Sequence, residues 1–242
     1  MKFIALLANT ARSQAYLQTL IKENLKPTRV FIMDDDNKKS LGKIKNYKNS
    51  FNKGKLSYSF KFSVIDPQED LLSTLSKTDI PYTIINSSNI NSEDVYSSLL
   101  KCDENFVVIS VYAGQILRNK ILSLNKKFIH VHSGKLPYYR GSTTLYYSLL
   151  EINKVAASAL IIDQGIDTGE LICFKEYDFN FNPELIDLIF DPLLRSVVLV
   201  YAIKQLIKST KNFNLQDKLV GNDYYVIHPL LKHLVILKES NK

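Results

Sequence analysis

The chain has 242 residues, of which 45% are hydrophobic, and a formal net charge of +7. That is long and apolar enough to bury a substantial core in one domain, or one domain with an appendage, and it excludes disordered and fibrous classes. No apolar run reaches the ~18 residues that a membrane span needs.

The charge is local. Eight lysines (38, 39, 43, 45, 48, 53, 55, 61) and no acid lie between Asn37 and Lys61, and removing them leaves the rest of the chain near −1. A solvated lysine-rich insertion over about 34–63 accounts for this; attraction of an anionic substrate or a membrane surface is the alternative. Cys102 and Cys173 lie far apart without metal-ligand spacing. They fit two buried thiols in a reducing, cytoplasmic setting.

Taken in order, Met1–Ala8 resembles a short signal peptide, but Asn9–Arg12 leads into a polar, helix-like segment, so Phe3–Ala8 is expected to be a first buried strand. Apolar residues at Ala15, Tyr16, Leu20, Ile21 and Leu25 keep a helical period, and Arg29–Met33 is a second strand. This β-α-β opening suggests an α/β, Rossmann-like doubly wound, mostly parallel sheet. The first turn has no glycine, so a dinucleotide fingerprint is absent. Thr10, Arg12 and Ser13 fit either a phosphate contact or an ordinary helix cap.

Tyr58–Phe62 is a short strand candidate, Pro67–Leu75 a helix, Pro81–Asn86 a strand, and Ser92–Leu100 a helix with its own cap. Phe106–Val111 is a fully apolar strand, followed by a helix over Ile116–Leu124 and a strand at Lys127–Val131. Ser142–Glu151 is helical; Ala156–Ile162 and Leu171–Tyr177 form an antiparallel pair around a loop. Pro183–Lys208 holds a long helix with a break at Pro192, and the tail offers strand-like runs at Tyr224–Ile227 and His233–Leu237. The division is residues 1–210 as a catalytic domain, with 211–242 as a short C-terminal extension rather than an independent domain.

The chemistry concentrates in Phe128–Gly141 and Asp163–Glu170. His130 and His132 are two apart on a strand, so they share a face at its carboxyl end, where open parallel sheets bind ligands. Gly134, Pro137 and Gly141 give the following loop a defined path.

His132, Leu136-Pro137, Arg140-Gly141 and Ile166-Asp167-Thr168-Gly169 resemble the 10-formyltetrahydrofolate-dependent formyltransferases. That family includes glycinamide ribonucleotide transformylase, methionyl-tRNA formyltransferase and the sugar N-formyltransferases. Its pattern is Asn-x-His, a Leu-Pro loop and an Asp-x-Gly about three dozen residues on. His132 to Asp167 is 35 positions, while the family's Asn is His130 here. The resemblance covers about Phe106–Phe174 well and the first third loosely.

The resemblance implies formyl transfer from 10-formyltetrahydrofolate to an amine, without a metal. His132 and Asp167 would handle protons, and the His130 imidazole, neutral or cationic, would donate to the formyl oxygen as the Asn does, the two rings sharing their titration. Tyr112, Gln115, Ile116 and Leu117 would face the pterin, with Asp163 and Ile166 also on the folate side; as a bare residue Asp163 is a turn former. Arg12, Lys135, Tyr138 and Arg140 are the acceptor-binding candidates, with a bracing role for Arg140 the plainer account. Arg195 with Asp191 reads as a helix-surface ion pair, and His228 and His233 as packing or surface residues.

The implied acceptor is a small anionic amine, first a nucleotide-linked amino sugar. Glycinamide ribonucleotide comes second, because the first turn lacks the glycine-rich phosphate loop. Some thirty tail residues do not supply a tRNA-binding domain, so no tRNA partner is expected; a homodimer stays open. Two rivals remain: a metal-dependent hydrolase using the His-x-His pair with Asp167, and a folate-binding protein that lost transfer when Asn became His130.

Overall fold

The computed structural model describes residues 1–34, 57–209 and 213–241. Most of the lysine-rich segment lies outside them.

A seven-stranded sheet carries the fold, in the order β10-β9-β7-β6-β1-β2-β5. β1 (Phe3–Ala8), β2 (Val30–Met33), β5 (Tyr82–Ile85), β6 (Phe106–Ser110) and β7 (Lys127–His132) run parallel. β9 (Lys154–Ile161) and β10 (Leu171–Asp178) close one edge antiparallel. Helices α1 (Ala11–Lys22), α5 (Thr144–Glu151) and α6 (Asp191–Lys208) cover one face; α3 (Glu93–Leu100) and α4 (Asn119–Leu122) cover the other.

β1 shows why the sequence folds this way. Phe3, Ala5 and Leu7 enter the core beneath α1 and α6, while Ile4, Leu6 and Ala8 enter the core beneath α3 and α4. A strand with both faces covered must be apolar throughout. Each large aliphatic side chain buried there contributes about 1.5–3 kcal/mol. The same alternation on β7 sends Ile129 and Val131 into the first core and Phe128 into the second, so His130 and His132 share a face with Phe128.

Smaller pieces complete the chain: the hairpin β3 (Tyr58–Phe60) and β4 (Ser63–Ile65), helix α2 (Leu71–Leu75), and β8 (Tyr139–Gly141) paired in parallel with β11 (Asn222–Tyr224). The tail ends in helix α7 (Pro229–Ser240).

Several sequence expectations need correction. The helix expected over Ile116–Leu124 shrinks to α4, because Asn91 takes the groups a helix would use: its Nδ2 donates to Ile116 O and its Oδ1 accepts from Arg118 N. The helix expected from Pro67 starts only at Leu71, capped by Asp70. Pro192 does not break α6. It occupies the first turn, where its missing N–H costs nothing, after a 3-10 turn (Pro183–Leu185) and a π turn (Ile186–Phe190). The run His233–Leu237 is helical: Pro229 starts α7, His228 Nδ1 accepts from Leu230 N, and Val235 packs into the core.

Candidate active site

The carboxyl end of β7 brings His130, His132 and Asp167 together, with one ligating atom from each within 4.8 Å of the other two. Asp167 comes from the loop joining β9 to β10 and holds a left-handed backbone, φ 56°. The glycines of that loop are needed for space: a Cβ on Gly169 would lie 1.8 Å from Ile161 O, and one on Gly165 2.0 Å from Thr168 Oγ1. Gln216, from the tail, donates to Asp167 O and Gly169 O and ties the loop down.

His132 is buried and its protonation pattern follows from its partners. Nε2 lies 2.6 Å from Tyr139 O, which only accepts, so Nε2 carries a hydrogen. Thr144 Oγ1, 3.2 Å from the same nitrogen, spends its own hydrogen on Ser133 O. Nδ1 is left facing Asp167 Oδ2 at 3.2 Å. The two groups are placed to hold one further proton between them. Burial lowers the His132 pKa, Asp167 pushes it back up, and Arg195 lowers it. A Cβ on Gly134 would come within 2.8 Å of His132 Nε2, so only glycine fits beside the ring.

Asp167 Oδ2 also accepts from Gly141 N at 2.9 Å; Oδ1 makes no bond among the described residues. The Leu136–Pro137 peptide is cis. His130 is partly buried, and burial above all, helped by Arg12, Arg195 and His132, holds its pKa well below the ordinary imidazole value. It is a neutral imidazole near neutral pH, able to donate one hydrogen bond.

Among the other candidates, Arg12 on α1 donates to Ser110 Oγ at 2.9 Å and Val111 O at 2.5 Å. Its near neighbours Thr10 and Ser13 form the α1 cap. Arg140 is buried and braces the loop to the tail, bonding Asp223 Oδ1 at 2.6 Å, Val220 O at 2.6 Å and Pro137 O at 3.3 Å. Lys135 pairs with Glu176 on β10 at 3.2 Å, and Tyr138 is half exposed.

Gln115 accepts from Ile90 N and donates to Ser88 O, so its amide pins the chain after β5. Tyr112 and Leu117 are buried, and the Tyr112 hydroxyl donates to Met33 O. Ile116 and Ile166 are each 56% exposed, offering apolar surface that a flat ring can cover. Asp163 accepts from Gly165 N and Thr168 Oγ1 and so forms the turn.

Arg195 is not on a surface. The pair with Asp191 exists at 2.9 Å, but both side chains are over four-fifths buried, and Arg195 Nη1 donates to Val131 O at 3.1 Å. Sequence spacing alone reveals the i, i+4 pair and gives no sign of this burial. Thr144, packed on the His132 ring, also escapes the sequence reading, which names Gly134 for the loop's path and not for its contact with that ring.

Two levels of likeness follow. The architecture is the formyltransferase fold: a sugar N-formyltransferase from a Shewanella species superposes with TM-score 0.60 at 15% identity, covering 99% of this chain and 88% of that one. An N-formyltransferase from Helicobacter canadensis, solved with folinic acid and dTDP-3-aminofucose, gives 0.56 at 16% identity, covering 93% and 71%. In sequence, the chain is similar to the methionyl-tRNA formyltransferase of Finegoldia magna, 34% identical over 113 residues, or 46% of this chain and 36% of that protein. The chain spans about a third of the length of the curated relatives it matches. No family model matches it. The formyltransferase resemblance read from the motifs is thus met by both sequence and fold.

Proposed function

We propose that this chain is an N-formyltransferase that moves a formyl group from 10-formyltetrahydrofolate to the amine of a small anionic acceptor, a nucleotide-linked amino sugar in the first instance. The observation that carries the reading is the 3.2 Å approach of His132 Nδ1 to Asp167 Oδ2, set beside a neutral His130 at the carboxyl edge of the sheet.

The neutral amine attacks the formyl carbon and the formyl C=O electrons move to oxygen. His130 donates a hydrogen bond to that oxyanion, a type of contact worth about 2.7–4 kcal/mol in other acyl-transfer sites. The ammonium proton passes to the Asp167–His132 unit through Oδ1, and the unit returns a proton to N10 as the C–N10 bond breaks. The products are the N-formyl amine and tetrahydrofolate. Ile116 and Ile166 offer the apolar surface for the folate ring, and Arg12 offers a cation to the acceptor's anionic group.

The acceptor rests on the likeness to sugar N-formyltransferases, against sequence relatives named for methionyl-tRNA. Incubation with 10-formyltetrahydrofolate and a panel of amino-sugar nucleotides, glycinamide ribonucleotide and methionyl-tRNA decides it. Tetrahydrofolate release that depends on an amino-sugar nucleotide is the expected result; release only with methionyl-tRNA overturns the acceptor, and none with any amine overturns the transfer.

The His130, His132 and Asp167 cluster also has the composition of a metal site. Its surroundings oppose one: Arg12 and Arg195 set two guanidinium charges beside His130. Metal analysis of the purified protein, with activity before and after chelation, separates the hydrolase reading.

A further inference from the structure

Arg195 and Asp191 lie in the first turns of α6, far along the chain from the histidines, yet they grip β7 on both sides of His132. Arg195 Nη1 donates to Val131 O at 3.1 Å, the carbonyl of the residue between the two histidines. Ser133, the residue after His132, donates its hydroxyl to Asp191 Oδ1. The pair is closed internally by Arg195 Nε to Asp191 at 2.9 Å.

A buried ion pair of this kind costs desolvation and is often no more stabilising than apolar side chains of the same volume. Ordinary helix-to-sheet packing at this spot needs no charge. The bonds instead fix the peptide and hydroxyl that bracket the catalytic ring, whose other contacts are Tyr139 O, Thr144 and Asp167.

We propose that Asp191 and Arg195 are positioning residues of the active site: a buried clamp that holds β7 on either side of His132 and sets a fixed charge pair behind both histidines. The inference rests on the formyl-transfer reading only for its kinetic consequence; the clamp itself is a statement about the histidines.

The charged groups acting on His130 and His132 are Arg12 from α1, Asp191 and Arg195 from α6, and Asp167 from the β9–β10 loop, with Tyr16 lying behind against Arg12 and Arg195. The positive end of the clamp disfavours protonation of both rings; Asp191 favours protonation of His132. Removing one end or the other must therefore move His132 in opposite directions. An uncharged helix contact produces no such reversal, and the loss of kcat on loosening the grip separates positioning from mere proximity of charge.

The test is NMR titration of the four histidines in wild type, Arg195→Gln, Arg195→Lys, Asp191→Asn and Ser133→Ala, with His228 and His233 as internal references. Arg195→Gln is expected to raise the His130 and His132 titrations, Asp191→Asn to lower that of His132, and Arg195→Lys to keep His130 near wild type. In parallel, Ser133→Ala and Arg195→Lys are expected to lower kcat about tenfold with KM unchanged, because each loosens the grip without removing a reacting group.

Folded variants with both histidines titrating as in wild type overturn the clamp. If Arg195→Gln does not fold, the other three decide: an unmoved His132 in Asp191→Asn, with Ser133→Ala and Arg195→Lys at wild-type kcat, also overturns it. Opposite shifts in the two variants, with a wild type that transfers no formyl group, uphold the clamp and refute the activity.

Discussion

The loop after β7 and the turn after β1 meet at the same sheet edge, and they differ in how their polar groups are satisfied. Between Ser133 and Thr144 the chain is bonded to the rest of the protein at many points. Leu136 N and Gly134 O both bond Ser158, Arg140 bonds the tail, and Gly141 N bonds Asp167. At the β1–α1 side, by contrast, Asn9 Oδ1, Gln14 Nε2 and the Tyr16 hydroxyl are buried without a partner among the described residues. Buried polar atoms left unpaired cost about 1–3 kcal/mol each. The bonded side suits proton transfer, which needs fixed geometry; on the other side Gln14 and Tyr16 lie inside the core, and the partly exposed Asn9 and Arg12 are the residues a ligand could meet.

The largest expected effects break the bonded side. His132→Ala and Asp167→Asn should each lower kcat about a hundredfold or more, since each removes one half of the pair that relays the proton. Asparagine is the better probe at 167 because it tolerates the left-handed backbone and can still accept from Gly141 N. Steady-state kinetics at matched folding check this, and a rate within a few-fold of wild type would remove the pair from the mechanism.

Next in size is His130. His130→Ala should lose about 2–4 kcal/mol of transition-state stabilisation, the scale of one oxyanion donor. His130→Asn supplies an amide donor in place of the ring and should keep most of the activity. Equal activity of wild type and the alanine variant, compared through kcat/KM, would make His130 a structural residue.

A smaller effect sharpens the other side of the comparison. Asn9→Ala and Arg12→Gln should raise KM for the acceptor several-fold with kcat little changed, as loss of binding common to ground and transition states does. Varying acceptor and folate separately reads this out. A drop in kcat at unchanged KM would place these residues with the chemistry and erase the contrast.

Much of this was legible in the sequence because it rests on period and spacing. The all-apolar strands announce a sheet covered on both faces, and His-x-His puts two rings on one face by the alternation of a strand. The 35-residue separation of His132 and Asp167 carries the resemblance, and the structure brings the two within 3.2 Å. What failed depended on tertiary partners. Nothing local in Ile116–Leu124 foretells that Asn91 will capture its backbone, and β-branched, leucine-rich His233–Leu237 is helical because Pro229 and the His228 cap start a helix there. Arg195 and Asp191 have the spacing of a surface pair, and only packing shows them to be buried beneath β7.

The smallest expected effect concerns stability against pH. Burial depresses the pKa of both His130 and His132 in the folded chain, so the unfolded chain binds protons more readily on the acid side of the ordinary value, about 6.5. Linkage then fixes the sign: the stabilising contribution is fully present above about pH 6.5 and is lost progressively as pH falls toward the folded-state values. His130→Asn deletes the more strongly depressed of the two groups while leaving an uncharged polar side chain in its place. Its unfolding midpoint in urea should therefore fall less steeply with acidification below pH 6.5 than that of wild type, while the two slopes coincide between pH 7 and 8. Urea titrations at half-unit intervals from pH 5 to 8 measure this. Parallel acid limbs would mean that His130 takes up its proton as easily folded as unfolded, and the neutral oxyanion donor would lose its physical basis.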